Sequence, residues 1–189
     1  MLYYIQTWWR WFRRCGLSRG FGVQSPSAYA FIRYVINEHY PYYAYAELKQ
    51  RLNGLSRVQH KFGRLLLRLC NYWQPMARYS NISLYDLYMD AGCRQTKSYG
   101  LELLAATNDK KLVVVDLTRF DMHELNSVVL PLCNENTLLV LLGLNKLKEK
   151  YLWCDLQDSP YTGITYNLYY VGIVFFDHTV YKQHYDVNF

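Results

Sequence analysis

A chain of 189 residues and 22.6 kDa has the size of one domain with some additional structure, since single hydrophobic cores organise about 100 to 200 residues. Apolar residues make up 51% and charged residues 19%, a balance that excludes a disordered chain, and no apolar run approaches the roughly eighteen residues needed to span a bilayer. The net charge of +6 is modest and partly local, at Arg10, Arg13, Arg14 and Arg19, with no basic block interleaved with stacking aromatics, so a nucleic-acid role is disfavoured.

Five widely spaced cysteines without a C-x-x-C pair read as reduced thiols, and the start lacks the order of a secretory signal, so a cytoplasmic protein is expected. Twenty tyrosines, eight phenylalanines and five tryptophans suit half-buried surfaces and interfaces.

In chain order, Leu2 to Cys15 forms an amphipathic helix with Trp8, Trp9, Phe12 and their neighbours on one half and Arg10, Arg13 and Arg14 on the other. Packing onto the domain or a partner is favoured over lying in a membrane interface, the reading that the Trp-rich composition keeps open. Ser25-Pro26 caps a second helix through Tyr29, Ile32, Val35 and Ile36, which must stop before Pro41. A third helix runs through Leu48 and Leu52 to Gly54. Ser56 caps a fourth, with Phe62, Leu65, Leu66, Leu69, Cys70 and Trp73 as its buried stripe and Lys61, Arg64 and Arg68 on its wet side.

Beyond residue 76 the pattern alternates. Ile82 to Met89 is a weak strand, Lys97 to Ala106 a helix, and Lys111 to Asp116 a buried parallel strand. Asp121 caps a helix through Leu132, Thr137 to Leu142 is a strand, Asn145 to Leu156 a helix, and Gly163 to Phe176 two strands meeting around Tyr170 to Gly172. This order argues for an α/β layer sandwich behind an N-terminal helical region.

Gly22-Val23-Gln24-Ser25-Pro26, Pro41-Tyr42-Tyr43-Ala44-Tyr45, the helix from Lys61 to Pro75 and the stretch Thr165 to Phe176 with the tail to Phe189 resemble a bacterial family of class I S-adenosylmethionine-dependent methyltransferase-like proteins. The resemblance implies a Rossmann-like methyltransferase-type sheet, mostly parallel with a C-terminal antiparallel hairpin. The change of pattern at residue 76 and the chain length give a helical region 1–75 packed on a core 76–189, in one compact domain.

The middle departs from the family. Its first strand should end in an acidic residue and a glycine-rich turn, yet only Gly92 and Gly100 lie between Pro75 and Lys110. The ribose-binding acid expected after the second strand falls near Asp90-Ala91-Gly92-Cys93, with Ala91 in its place and Asp90 adjacent. The paired acids and His-Trp that follow a later strand are absent from Leu142 to Lys146.

Asp116 ends the best strand, where open α/β sheets place ligands, although a solvated strand-end cap explains it more simply. Asp90 and Asp116 are the cofactor-binding candidates, and Gln24, Tyr42 and Tyr43 stand in segments that the resemblance places over the pocket mouth. No catalytic residue is assigned. The five histidines show no metal-ligand spacing and read as surface or capping groups.

The reading is a methyltransferase-like protein that does not methylate and serves as a binding or structural module. S-adenosylmethionine enters only under the alternative of an active methyltransferase with a divergent site. A second alternative is a membrane-surface or assembly module docking by the Trp/Arg helix, which would supply a homo-oligomer or protein partner.

Overall fold

The computed structural model describes residues 22–146 and 151–189, so the amphipathic segment Leu2 to Cys15 lies outside the described residues. The first described helix, α1 (Pro26–Phe31), is capped by the Ser25 hydroxyl, which accepts from the Ala28 amide at 3.4 Å. It then widens into a π-type turn (Ile32–Ile36), closed by the Asn37 amide on the Ile32 carbonyl. Helix α2 is Tyr43–Arg51 and helix α3 is Arg57–Trp73. Ser56 and Gln59 form a reciprocal capping box at the start of α3, and Gln74 ends it in the left-handed region at φ 50°.

Strand β1 (Ala77–Ser80), helix α4 (Asp86–Gly92) and strand β2 (Lys97–Gly100) come next, followed by β3 (Lys111–Asp116). Two sequence expectations are corrected here: the weak strand over Ile82 to Met89 is a turn and α4, and the helix over Lys97 to Ala106 is β2 with a single 3-10 turn at Leu101–Leu103. The reason is tertiary context. β1 carries a charged Arg78 that is 3% exposed and tolerated only because Asp86 and Asp90 of α4 pair with it, a compensation that no local pattern displays.

Helix α5 starts at Met122–Glu124 under an Asp121 cap and continues through a π-type turn and a 3-10 turn to Leu132. Strand β4 (Thr137–Leu142), a turn at Leu144–Lys146 and helix α6 (Tyr151–Asp158) lead to β5 (Ile164–Asn167), β6 (Val171–Phe175) and β7 (Gln183–Asp186).

The seven strands lie in the order β2-β1-β3-β4-β6-β5-β7, with β2, β1, β3 and β4 mutually parallel and β6 antiparallel to both of its neighbours. Alternate residues of β3 and β4 feed opposite faces. Leu112, Val114, Leu138 and Val140 pack with α1 to α4, while Val113, Val115, Leu139 and Leu141 pack with α5 and α6. The sheet is thus a mostly parallel α/β layer with an antiparallel C-terminal part and helices at the front, and the connections leaving β1 and β3 diverge at their C-terminal ends.

Candidate functional site

Open α/β sheets bind ligands where strand order reverses, here between β1 and β3. A cofactor cradle at that point needs backbone N–H groups free to face the ligand, which glycine makes possible by letting the chain approach closely. Two amides of the turn after β1 are spent internally. The Ser80 hydroxyl accepts from the Ile82 amide and donates to the Ile82 carbonyl, and the Asp86 amide donates to the Ser83 carbonyl.

Asn81 acts as one more rung of the β1–β3 ladder. Its side-chain oxygen accepts from the Asp116 amide at 2.8 Å and its nitrogen donates to the Asp116 carbonyl at 3.2 Å. Beneath it Ile82 and Tyr85 are buried, and burial together with the Asp116 carboxylate pushes the Tyr85 hydroxyl up to about 12. These residues do not fit a dinucleotide-like cradle for S-adenosylmethionine: the amide clamp and two buried side chains stand where a glycine turn is required.

The Asp116 carboxylate is occupied as well, accepting from the Thr118 amide at 2.9 Å and from its hydroxyl at 2.7 Å, the arrangement of a strand-end turn. Asp90 lies on α4 rather than after the second strand, and its carboxylate pairs with Arg78. The acid that does follow β2 is Glu102, whose carboxylate folds back over Gly100. It was hidden in the sequence because β2 is only four residues, Lys-Ser-Tyr-Gly, with no apolar run.

Gln24 is exposed and Tyr43 is 97% exposed, whereas Tyr42 is half-buried among Tyr40 and Tyr45, with ring centroids 5.8 and 5.2 Å away. Tyr42 lines a cavity of about 1100 Å³ in the helical layer, between the 36–42 turn, α2, α3 and Asn188-Phe189. Neither Gln24 nor Tyr43 borders it. A second cavity, of about 480 Å³, lies between α5 and α6, and neither cavity is lined by Asn81, Asp90 or Asp116.

The first cavity revises the expected wet side of α3. Arg57, Lys61, Arg64 and Arg68 follow one another at helical spacing and all face into it, but Arg68 is only 7% exposed, because the turn after α1 folds over it. The π-type turn ends α1 with free carbonyls, and the guanidinium takes two of them: Nε donates to Val35 O at 2.6 Å and Nη2 to Ile36 O at 2.9 Å. A third donor reaches the Tyr45 hydroxyl at 3.1 Å.

His60, in the same wall, is buried rather than on the surface, with its Nδ1 2.7 Å from the Tyr88 hydroxyl. Burial first, then Arg64 and Lys49, hold its pKa below the ordinary value of 6.5, so the folded ring is neutral at pH 7. The unfolded chain therefore takes up this proton first as pH falls through about 6.5, and stability declines from there towards the lower folded pKa. His184 is shifted in the same direction, by local desolvation and then Lys182, but it is exposed and contributes less. Thermal melts from about pH 7.5 to 5.5 should show a falling midpoint, and His60→Gln should flatten part of the slope. An unchanged slope in that variant would remove His60 from the account.

Among the described residues no group of three or more His, Cys, Asp or Glu could hold a metal ion, and no helix is long and apolar enough to cross a membrane. Burial pushes the thiols of Cys70 and Cys133 up to about 12, which leaves neither as a nucleophile at neutral pH.

No protein-family model and no curated protein matches the chain. Among solved structures it is similar to the SAH-bound methyltransferase PaMTH1 of Podospora anserina, with a TM-score of 0.53 and 11% identity over 80% of this chain and 93% of that one. At that identity the likeness concerns the fold, and the chain has a methyltransferase-like, Rossmann-like fold.

Proposed function

We propose that the protein is a methyltransferase-like module that does not methylate and that acts by binding or by structural association, in the cytoplasm as its free thiols suggest. The observation that carries this reading is the Asn81 amide, paired with both backbone groups of Asp116 where a cofactor turn would need open glycine backbone. Opening it would expose the buried Ile82 and Tyr85 and break two hydrogen bonds, a cost on the order of several kcal/mol that cofactor binding would have to offset.

Titration calorimetry of the purified full chain with S-adenosylmethionine and with S-adenosylhomocysteine is expected to give no binding heat. Micromolar binding of either would overturn the reading. Glu102, in the turn after β2, favours an active enzyme instead. Under that alternative the cofactor binds and Glu102→Ala abolishes binding, because the acid would hold the ribose hydroxyls.

A further inference from the structure

The helical-layer cavity carries a charge imbalance that the fold does not resolve. Five basic side chains line it, Lys49, Arg57, Lys61, Arg64 and Arg68, against a single carboxylate side chain, Glu38. Glu38 is itself engaged, its Oε1 accepting from the Tyr40 amide at 2.8 Å.

The cations instead lean on neutral groups. Arg68 is held by carbonyls, the Arg64 guanidinium lies 4.9 Å from the Tyr45 ring centroid, and the Lys61 ammonium lies 4.3 Å from that of Phe189. Although the Lys61 side chain as a whole is exposed, its ammonium sits against that ring, and desolvation, followed by repulsion from Arg68, holds it below the usual lysine range.

Two buried donors in the same wall, Arg64 Nε and Asn37 Nδ2, have no hydrogen-bond acceptor. Buried donors without partners are rare and costly, about 1–3 kcal/mol each, and both belong to residues that line this cavity. Like charges gathered around unsatisfied donors call for a ligand that brings acceptors and several negative charges together.

We propose that this cavity binds a small molecule bearing several phosphate groups. A lone carboxylate would balance only one of the five cations, whereas linked phosphates present many oxygens to planar guanidinium forks that suit them. The Tyr40, Tyr42 and Tyr45 rings that complete the wall can flank whatever group the phosphates carry. The site shares no lining residue with the β1–β3 strand ends, so it stands whether or not S-adenosylmethionine binds.

The test is calorimetry of the full chain with inorganic triphosphate, at low and at physiological salt, with citrate as a carboxylate control. Triphosphate should bind one to one, more tightly than citrate, and more weakly at higher salt. Arg64→Gln should weaken binding by about tenfold or more. The double substitution Lys49→Gln/Arg57→Gln, on exposed positions that leave the fold intact, should do so comparably, while Lys97→Gln on the distant β2 should change nothing.

Absence of triphosphate binding would overturn the proposal, as would equal binding by the Lys49→Gln/Arg57→Gln protein. Citrate binding as tight as triphosphate would overturn the phosphate assignment. A single-stranded RNA that binds more tightly than triphosphate and is lost in the same variants would replace the small ligand with a macromolecule.

Discussion

Replacing Lys111 with alanine is expected to lower the unfolding free energy by about 2–5 kcal/mol, a large share of the roughly 5–15 kcal/mol that holds a domain of this kind together. Lys111 opens β3 and is fully buried, and its ammonium donates to the carbonyls of Ala105 at 2.9 Å, Leu132 at 2.7 Å and Thr107 at 3.4 Å. It therefore ties the 105–107 loop and the end of α5 to the central strand. Burial lowers its pKa, while Cys133 and Asp109 pull the other way.

Alanine removes the stem and the charge together, leaving a cavity and taking a donor from three carbonyls, of which Ala105 O keeps the Thr107 amide and Thr107 O keeps Asn134 Nδ2 while Leu132 O loses the ammonium. Lys111→Met keeps most of the stem volume and removes only the cation, so about half the loss is expected. Urea unfolding of both variants separates the two contributions, and amide exchange in the 105–107 loop should speed up in each. A methionine variant as stable as the parent would mean that the carbonyl cage gives no net stabilisation, because desolvation of the ammonium cancels its bonds.

Lys111 also marks where reading the sequence stops. The run from Leu112 to Val115 announces a buried strand, and so does Thr137 to Leu142, because both are apolar on both faces. Ser25, Ser56 and Asp121 announce helix starts because capping is a local interaction within a few residues. Nothing local says that the lysine beginning β3 is buried, since its three acceptors come from segments up to 21 residues away.

The short strands β1 and β2 were illegible for the same reason. Arg78 is buried by ion pairs to Asp86 and Asp90, which exist only once α4 packs over β1, and Tyr79 by a stacked contact with Tyr99, which exists only once β1 and β2 lie side by side. The absence of a glycine-rich turn was plain in the sequence, but the Asn81 clamp that takes its place joins residues 35 apart. The cationic face of α3 is visible as spacing, and spacing alone points it to solvent. Its missing acidic partners at the i+4 positions were the available signal of something other than a solvated stripe.

Gly63 of α3 and Gly92 of α4 let two helices approach closely, and Gly63→Ala exposes that task. In an exposed helix interior that change should stabilise by up to about 1 kcal/mol, because glycine is the weaker helix former. Here the added methyl would lie 2.3 Å from Cδ2 and 2.5 Å from Cε2 of the Tyr88 ring. That ring cannot swing aside: it is fully buried, and its hydroxyl is anchored 2.7 Å from His60 Nδ1 on the same helix as Gly63. Overpacking of this kind costs about 1–3 kcal/mol or more, so the clash outweighs propensity and a net loss of about 2 kcal/mol is expected.

Gly92 makes the matching approach from α4, where a methyl would lie 2.3 Å from the Leu67 carbonyl, so both ends of α4 meet α3 through glycine. The helix that would follow a cofactor turn is thereby pressed onto the helical layer that bears the cationic cavity. A double-mutant cycle with Tyr88→Leu should recover part of the Gly63→Ala loss, giving a coupling of about 1 kcal/mol or more. A Gly63→Ala protein more stable than its parent would show that α4 can shift freely on α3.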